Sequence, residues 1–307
     1  MREMRKIINK WLYSAIVAVA FSACSTDYVP SFIGQPVDVS IALEGEAAFT
    51  RRATDLSAGT AYLTGGANGM KKYTAGASGV VADEVTGPLL WTANSMTVSG
   101  YYANHGQTAV ESTLAYTVQD NNASFLAGEQ AANYSEESRT TIELTLRQQL
   151  ADITVTLLSE TGTTLSNPQL NGIYTSGTFQ GGYDANGFAM GGTNSCGWNV
   201  SGEPVNWAFS SLETATAGTY HAVILPQRIE ASQKLFSMHS VGTGGDGLEL
   251  QFSLGKTTTF LPGYRYHLNV DRVSMTLTME SGIQVEDFVD ATGATTTSAV
   301  ESTITVQ

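Results

Sequence analysis

Residue types that carry covalent or metal chemistry are sparse in this sequence. Its four histidines, His105, His221, His239 and His267, have no cysteine or second histidine at a metal-ligand spacing. His221 and His267 fall in strand-like stretches and read as ordinary strand residues. No Gly-x-Ser-x-Gly elbow presents a nucleophile, and no Gly-rich turn followed by Lys-Ser/Thr cradles a phosphate. Asp184-Ala-Asn186-Gly187 opens like a calcium loop. Position twelve of such a loop needs a bidentate Glu, and here it is Ser195, so an Asn-Gly hairpin turn is expected instead. The acid pairs Asp83-Glu84, Glu136-Glu137 and Glu286-Asp287 would serve a glycosidase only if folding set two carboxylates at a defined separation. In a chain with 28 acids, adjacent ones are ordinary solvated residues. Trp198, Trp207 and Tyr183 could stack on sugar rings, or pack in a core. No catalytic residue, metal ligand or cofactor is assigned, and no enzyme is expected.

Two places differ. Residues 1–10 hold Arg2, Arg5, Lys6 and Lys10 against one acid, and an apolar run from Trp11 to Phe21 follows. Ser22 and Ala23 then precede Cys24. A basic head, a short apolar stretch and small residues form a secretory signal, and the apolar run is shorter than the ~20 residues a membrane span needs. Cys24 at that place resembles a bacterial lipobox, in which the Cys becomes the lipidated first residue. Residues 1–23 are therefore expected to be a lipoprotein signal peptide. Its removal would leave Cys196 as the other thiol, free of any intramolecular disulfide. The second place is Arg51-Arg52, the only basic residues between Cys24 and Met70. They lie in a turn-like stretch, Glu46 to Asp55, and read either as an ordinary solvated Arg pair, which position alone favours, or as an exposed dibasic site open to an Arg-specific protease.

The elements that would position these residues are strands. Val37, Val39, Ile41 and Leu43 alternate with polar or small residues. So do Ile142, Leu144 and Leu146; Ile153, Val155 and Leu157; Leu248, Leu250, Phe252 and Leu254; Tyr264, Tyr266, Leu268 and Val270; and Val273, Met275, Leu277 and Met279. Period-two alternation puts one apolar face on each strand. Val300, Ile304 and Val306 close the chain in the same pattern, with Ser302 in phase. Gly65-Gly66, Asn68-Gly69, Gly181-Gly182, Asn186-Gly187, Gly191-Gly192 and Gly244-Gly245 mark turns. A single helical turn is expected over Leu146–Ala151 and a polar turn over Ser135–Ser138. The expected fold is all-β, with two tandem antiparallel β-sandwich domains divided near residue 160. Hydrophobic residues make up 42% of the chain and charged ones 14%, with a formal net charge of -13. That charge excludes nucleic acid as a partner, since a binder must neutralise phosphates.

In order along the chain, the lipobox, the strand 37–43 and the Arg loop about 27 residues past the Cys precede Phe125-Leu-Ala. Leu144-Thr-Leu-Arg-Gln-Gln-Leu-Ala-Asp-Ile-Thr-Val155, Val223-Ile-Leu-Pro-Gln227, Leu261-Pro-Gly-Tyr-Arg-Tyr266 and Val285-Glu-Asp-Phe-Val289 follow. The whole resembles the fimbrillin-like proteins, subunits of type V pili of Gram-negative anaerobes. The resemblance implies transthyretin-like, Greek-key sandwich domains over 53–160 and 161–307, after a propeptide, 24–52. It implies transport to the outer membrane on a lipid anchor at Cys24, then cleavage by an Arg-specific surface protease after Arg51 or Arg52. The released strand would carry Val37, Val39, Ile41 and Leu43, worth roughly 6–12 kcal/mol of burial before ordering costs. The tail Val300, Ser302, Ile304 and Val306 would fill the opened edge of the next pilus subunit, building a fimbria on the cell surface. A tip adhesin, or a retained surface lipoprotein that grips glycans or host proteins, is the alternative.

Overall fold

In the computed structural model, residues 32–44, 60–76, 79–103, 114–134, 141–158, 164–211, 219–241, 247–253, 256–271, 276–284 and 302–305 are described. The described residues are all-β, and a three-residue 3-10 turn at Thr193–Ser195 is their one helical element. The 22 strands are numbered β1 to β22 in chain order.

The first large sheet has seven strands in the order β1-β8-β7-β5-β2-β3-β4. They are β1 (Val39–Glu44), β2 (Thr60–Gly65), β3 (Asn68–Gly76), β4 (Gly79–Ala82), β5 (Ser95–Ala103), β7 (Phe125–Asn133) and β8 (Ile142–Gln148). The β2–β3 hairpin turns through Gly66 and Ala67, with Gly65 ending β2 opposite Asn68; Asn68-Gly69, expected as a turn, opens β3 instead. The apolar positions of β8 are all buried, and of its polar residues only Gln148 at the end is, so the period of two is read directly as burial. At the sheet centre, Gly100 on β5 faces Gly128 on β7. A Cβ on Gly100 would sit 2.5 Å from a Leu144 methyl, and one on Gly128 would sit 2.1 Å from the Thr145 carbonyl. The pair of glycines lets β8 lie close over the strands beside it. Leu63, Leu89, Trp91, Val98, Leu126, Ile142, Leu144 and Leu146 form the core here.

A six-stranded sheet in the order β14 (Ser210–Ser211), β15 (Thr219–Ile224), β9 (Ala151–Leu158), β20 (Tyr264–Asp271), β21 (Thr276–Gln284), β22 (Ser302–Thr305) and a four-stranded sheet in the order β13 (Val205–Ala208), β10 (Thr164–Ile173), β17 (Phe236–Val241), β18 (Gly247–Phe252) share a second core. Ile153 and Val155 on β9 (Ala151–Leu158) meet Leu268 and Val270 on β20 (Tyr264–Asp271), with Phe236 and Phe252 from the facing sheet. Between these cores, a three-stranded sheet joins distant parts of the chain. Its strands are β12 (Trp198–Ser201), β11 (Ser176–Phe179) and β6 (Ala115–Thr117). An aromatic cluster of Tyr116, Phe125, Phe179 and Trp198 packs there, with ring centroids 4.9–6.0 Å apart.

Two expectations are corrected. The sheets are mixed, because β1 runs parallel to β8 and β9 runs parallel to β20. Parallel partners need a long crossover, and about a hundred residues separate each pair, which no local pattern shows. Leu146–Ala151 is not helical: β8 runs through Gln148, β9 starts at Ala151, and only Gln149 and Leu150 intervene. Side chains hold this passage open. Gln148 Oε1 accepts bonds from the backbone N–H of Phe125, Gln149 and Leu150. Gln149 Nε2 donates to the carbonyls of Ala127, Arg147 and Gly187, while its Oε1 accepts from Ala189 N–H. The Ser135–Ser138 turn and Gly244-Gly245 lie outside the described residues.

Leu144 is 1% exposed at the centre of the first core. Leu144→Ala should cost about 2–5 kcal/mol of unfolding free energy, read by denaturant titration against the parent chain.

Candidate functional site

The N-terminal strand occupies an edge. β1 lies at one end of the seven-stranded sheet and is hydrogen-bonded to β8 alone within it. Its register sets Val39 beside Ile142, Ile41 beside Leu144 and Leu43 beside Leu146. Val37, just before the strand, is buried, while Val39 and Ile41 are half-buried against the first core. Asp38, Ser40 and Ala42 are exposed, as the alternation predicts.

The strand has a lead-in that the alternation alone does not show. Residues 32–37 run against Leu89–Trp91, with an isolated antiparallel bridge between Pro36 and Leu90. Gly34 N–H donates to Trp91 O at 2.8 Å, Trp91 N–H to Gln35 O at 2.9 Å and Val37 N–H to Leu89 O at 2.8 Å. Asn68 holds the other side of Leu90: its Nδ2 donates to Leu90 O and its Oδ1 accepts from Leu90 N–H. Tyr73 hydroxyl accepts from Leu89 N–H at 2.7 Å. Burial pushes that phenol's pKa up, which keeps it neutral. At the head of this segment, Phe32 stacks on Tyr134, with centroids 4.4 Å apart and ring planes at 28°. Trp91 meets Tyr134 edge-on at 5.5 Å. Nothing local pairs residue 32 with residue 134. The one sequence signal is an apolar Phe32 placed ahead of an alternating strand.

The tail takes a different edge. β22 (Ser302–Thr305) ends the six-stranded sheet, antiparallel to β21 (Thr276–Gln284), with Ser302 opposite Met279 and Ile304 opposite Leu277. Cys24, Arg51, Arg52, Val300 and Val306 lie outside the described residues.

The other candidates resolve into structural roles. Trp198 is fully buried, and its Nε1 donates to Gln149 O at 2.8 Å. Trp207 Nε1 donates to Asn121 Oδ1 at 2.6 Å, and Tyr183 packs against Phe179. These rings bind the core rather than offering a sugar platform. Asp184 Oδ1 accepts from Asn186 and Phe188 N–H, which makes the Asn-Gly turn. Asp83 caps its own turn through Val85 and Thr86 N–H, and its carboxylate sits 3.9 Å from Lys72. Glu136-Glu137 and Glu286-Asp287 lie outside the described residues. Among the described residues, no three His, Cys, Asp or Glu side chains gather as metal ligands.

One ionic arrangement was not expected from sequence. Asp152 on β9 is 1% exposed, and its Oδ2 accepts from Arg265 Nε at 2.6 Å. His221 Nδ1 on β15 (Thr219–Ile224) lies 3.9 Å from Asp152 Oδ1, which has no hydrogen-bond partner. The register that sets β9 between β15 and β20 brings the three together. Next along, Thr154 Oγ1 and His267 Nδ1 share a hydrogen bond at 2.5 Å. Burial lowers the His221 pKa below its usual 6.5; Asp152 pulls it back up and Arg265 pushes it further down.

The described residues thus define an all-β protein whose N-terminal strand is seated at the edge of a seven-stranded sheet. The chain belongs to the fimbrillin-like family, whose model matches residues 45–288. As a member it is a fimbrillin-type subunit, and the family is a structural one rather than an enzymatic one. Its fold is similar to that of a protein assigned to cell adhesion from Bacteroides uniformis (TM-score 0.52, 11% identity, covering 81% of this chain and 98% of that one). A second such protein, from Bacteroides ovatus, gives a TM-score of 0.52 at 14% identity over 82% of this chain and 98% of its own. The C-terminally truncated tip fimbrial protein Mfa3 of Porphyromonas gingivalis matches at 0.46 and 8% identity, over 76% and 94%. No curated protein matches the sequence at a significant level.

Asp152→Ala would remove the buried carboxylate to which Arg265 Nε donates, at an expected loss of about 3–5 kcal/mol by denaturant titration. Because His221 resists protonation in the folded state, the unfolded chain takes up the extra proton as pH drops through 6.5. Stability due to this group is full above that pH and declines below it. A His221→Gln variant should flatten that limb of a stability–pH profile.

Proposed function

We propose that this chain is a polymerising fimbrial subunit, exported as a lipoprotein on Cys24. It is cut after Arg51 or Arg52 by an Arg-specific surface protease and assembled by strand exchange. The observation that carries this reading is the position of β1. It is an edge strand with one sheet neighbour, upstream of the stretch that holds Arg51-Arg52. Cutting there would leave the strand bound by no covalent link to the body. Its loss would bare the outer edge of β8 and the pockets of Val37, Val39 and Ile41, with the position of Leu43 beside them. An open edge over an apolar groove captures an added strand.

The tail supplies such a strand. Val300, Ser302, Ile304 and Val306 repeat the spacing of Val37, Val39, Ile41 and Leu43. Between Ser302 and Thr305 the chain is extended and lies at a sheet edge, held by one neighbour. A tail that leaves one subunit to fill the groove of the next makes a head-to-tail contact that does not close, which generates a fibre. The two domains, 53–160 and 161–307, would repeat along it. Other pilus subunits are the partners, and the outer membrane holds the precursor through its lipid.

Mass spectrometry of the N-terminus of protein taken from its native cell surface should find a start at Arg52 or Ala53. An acylated Cys24 followed by an intact 25–52 would overturn the processing step. Arg51→Ala with Arg52→Ala should abolish fibres seen by electron microscopy and leave the lipoprotein full-length. Deleting residues 299–307 should yield folded monomers that enter no fibre.

A further inference from the structure

We infer that the groove is a peptide-binding site that keeps residues 32–44 bound after the chain is cut, with the Trp91–Tyr134 aromatic slot as its latch. This rests on the cleavage proposed above and adds a second step to it: scission and strand release are separate events.

The segment is held in two places and two directions. Residues 39–44 lie parallel to β8 in an unbroken register of six pairs. Residues 32–37 lie antiparallel to Leu89–Trp91, and Ile142 N–H donates to Asp38 O at 2.8 Å where the two runs meet. Neither run depends on a link beyond residue 44. The Leu89–Trp91 strand is also built to face a peptide. Asn68 and Tyr73 satisfy its inner groups, which leaves Leu89 O, Trp91 N–H and Trp91 O directed at the N-terminal segment. Those groups and Ile142 N–H would lose their protein partners if the peptide left, so departure carries a cost beyond the apolar anchors.

Phe32 decides the far end. It stacks flat on Tyr134, and Tyr134 is fixed in turn by Trp91 edge-on and by its own N–H donated to Asn94 O at 2.8 Å. The slot lies at the end opposite to residue 44, where a cut at 51 or 52 would begin to fray the peptide. A competitor can therefore displace β1 from the cut end while the Phe32 latch still holds. That order keeps the β8 edge covered until a replacement arrives, and an uncovered edge is what leads to unspecific association. The occupant is this chain's own residues 32–44. The slot selects for an aromatic side chain at its head, and the tail 300–306 contains none.

The test separates this step from native processing. In a full-length chain carrying Cys24→Ser, Arg51-Arg52 are placed within the recognition sequence of a site-specific protease, so that cutting needs no surface enzyme. After complete cleavage, native gel filtration followed by mass spectrometry should find the peptide and the body in one peak at equal amounts. Phe32→Ala should speed loss of the peptide by about tenfold, and Phe32→Tyr should restore retention, as an aromatic stack of this size predicts. Loss of the parent peptide during filtration would overturn the inference, as would an unchanged off-rate in Phe32→Ala. An acylated, uncut Cys24 form on native cells would instead count against the processing reading, and it leaves the in vitro result to stand by itself.

Discussion

The passage from β8 to β9 is the constraint on which the rest of the molecule depends. Two strands of different sheets follow one another with only Gln149 and Leu150 between them. Backbone groups at such a crossing cannot all find ladder partners, and buried orphans are costly. Two consecutive glutamines meet that need, since each side-chain amide mimics a peptide unit. Gln148 serves three N–H groups from one oxygen, and Gln149 bonds to three carbonyls and one N–H. Trp198 closes the set by donating to Gln149 O. The aromatic cluster then packs on a passage that is already polar-satisfied, and it draws β6, β11 and β12 into one small sheet. The two large cores are therefore joined through a hydrogen-bonded and tightly packed middle.

That rigid middle sets what the edges can do. β8 has β7 on one side and β1 on the other, and its buried Ile142, Leu144 and Leu146 belong to the first core. β1 pairs with β8 alone, so no ladder beyond β8 depends on it. In the six-stranded sheet β20 is held between β9 and β21, and β22 is the edge strand beyond β21. Each of these two sheets thus has a terminal strand with a single sheet neighbour, β1 on β8 and β22 on β21.

The Asp152–Arg265 pair shows the same economy inside the second sheet. A carboxylate on a buried strand is tolerable because the parallel neighbour β20 delivers a guanidinium at 2.6 Å. His221 sits on the far side of the carboxylate and stays neutral through burial. The pairing also penalises register slips, since moving β20 by one residue would turn Arg265 to the opposite face.

The amino-acid sequence by itself determined the strands and their faces. Period-two runs at 37–43, 142–146, 153–157 and 264–270 became β1, β8, β9 and β20, because burying one side of a pleat needs only local alternation. The turns at Gly66 and at Asn186-Gly187 were equally local. The order of family motifs along the chain was legible too, down to the family itself. Tertiary structure alone decided which strands pair, that β1 and β8 run parallel, and that Leu146–Ala151 is a strand crossing rather than a helical turn. It also decided that Phe32 meets Tyr134, that Asn68 backs Leu90, and that Asp152 finds Arg265 more than a hundred residues away. The reason is physical: alternation says which face is apolar and is silent on the partner, because every β edge offers the same backbone groups. Only the closing of the core, with its glycine gaps and its polar groups that must be satisfied, chooses among them.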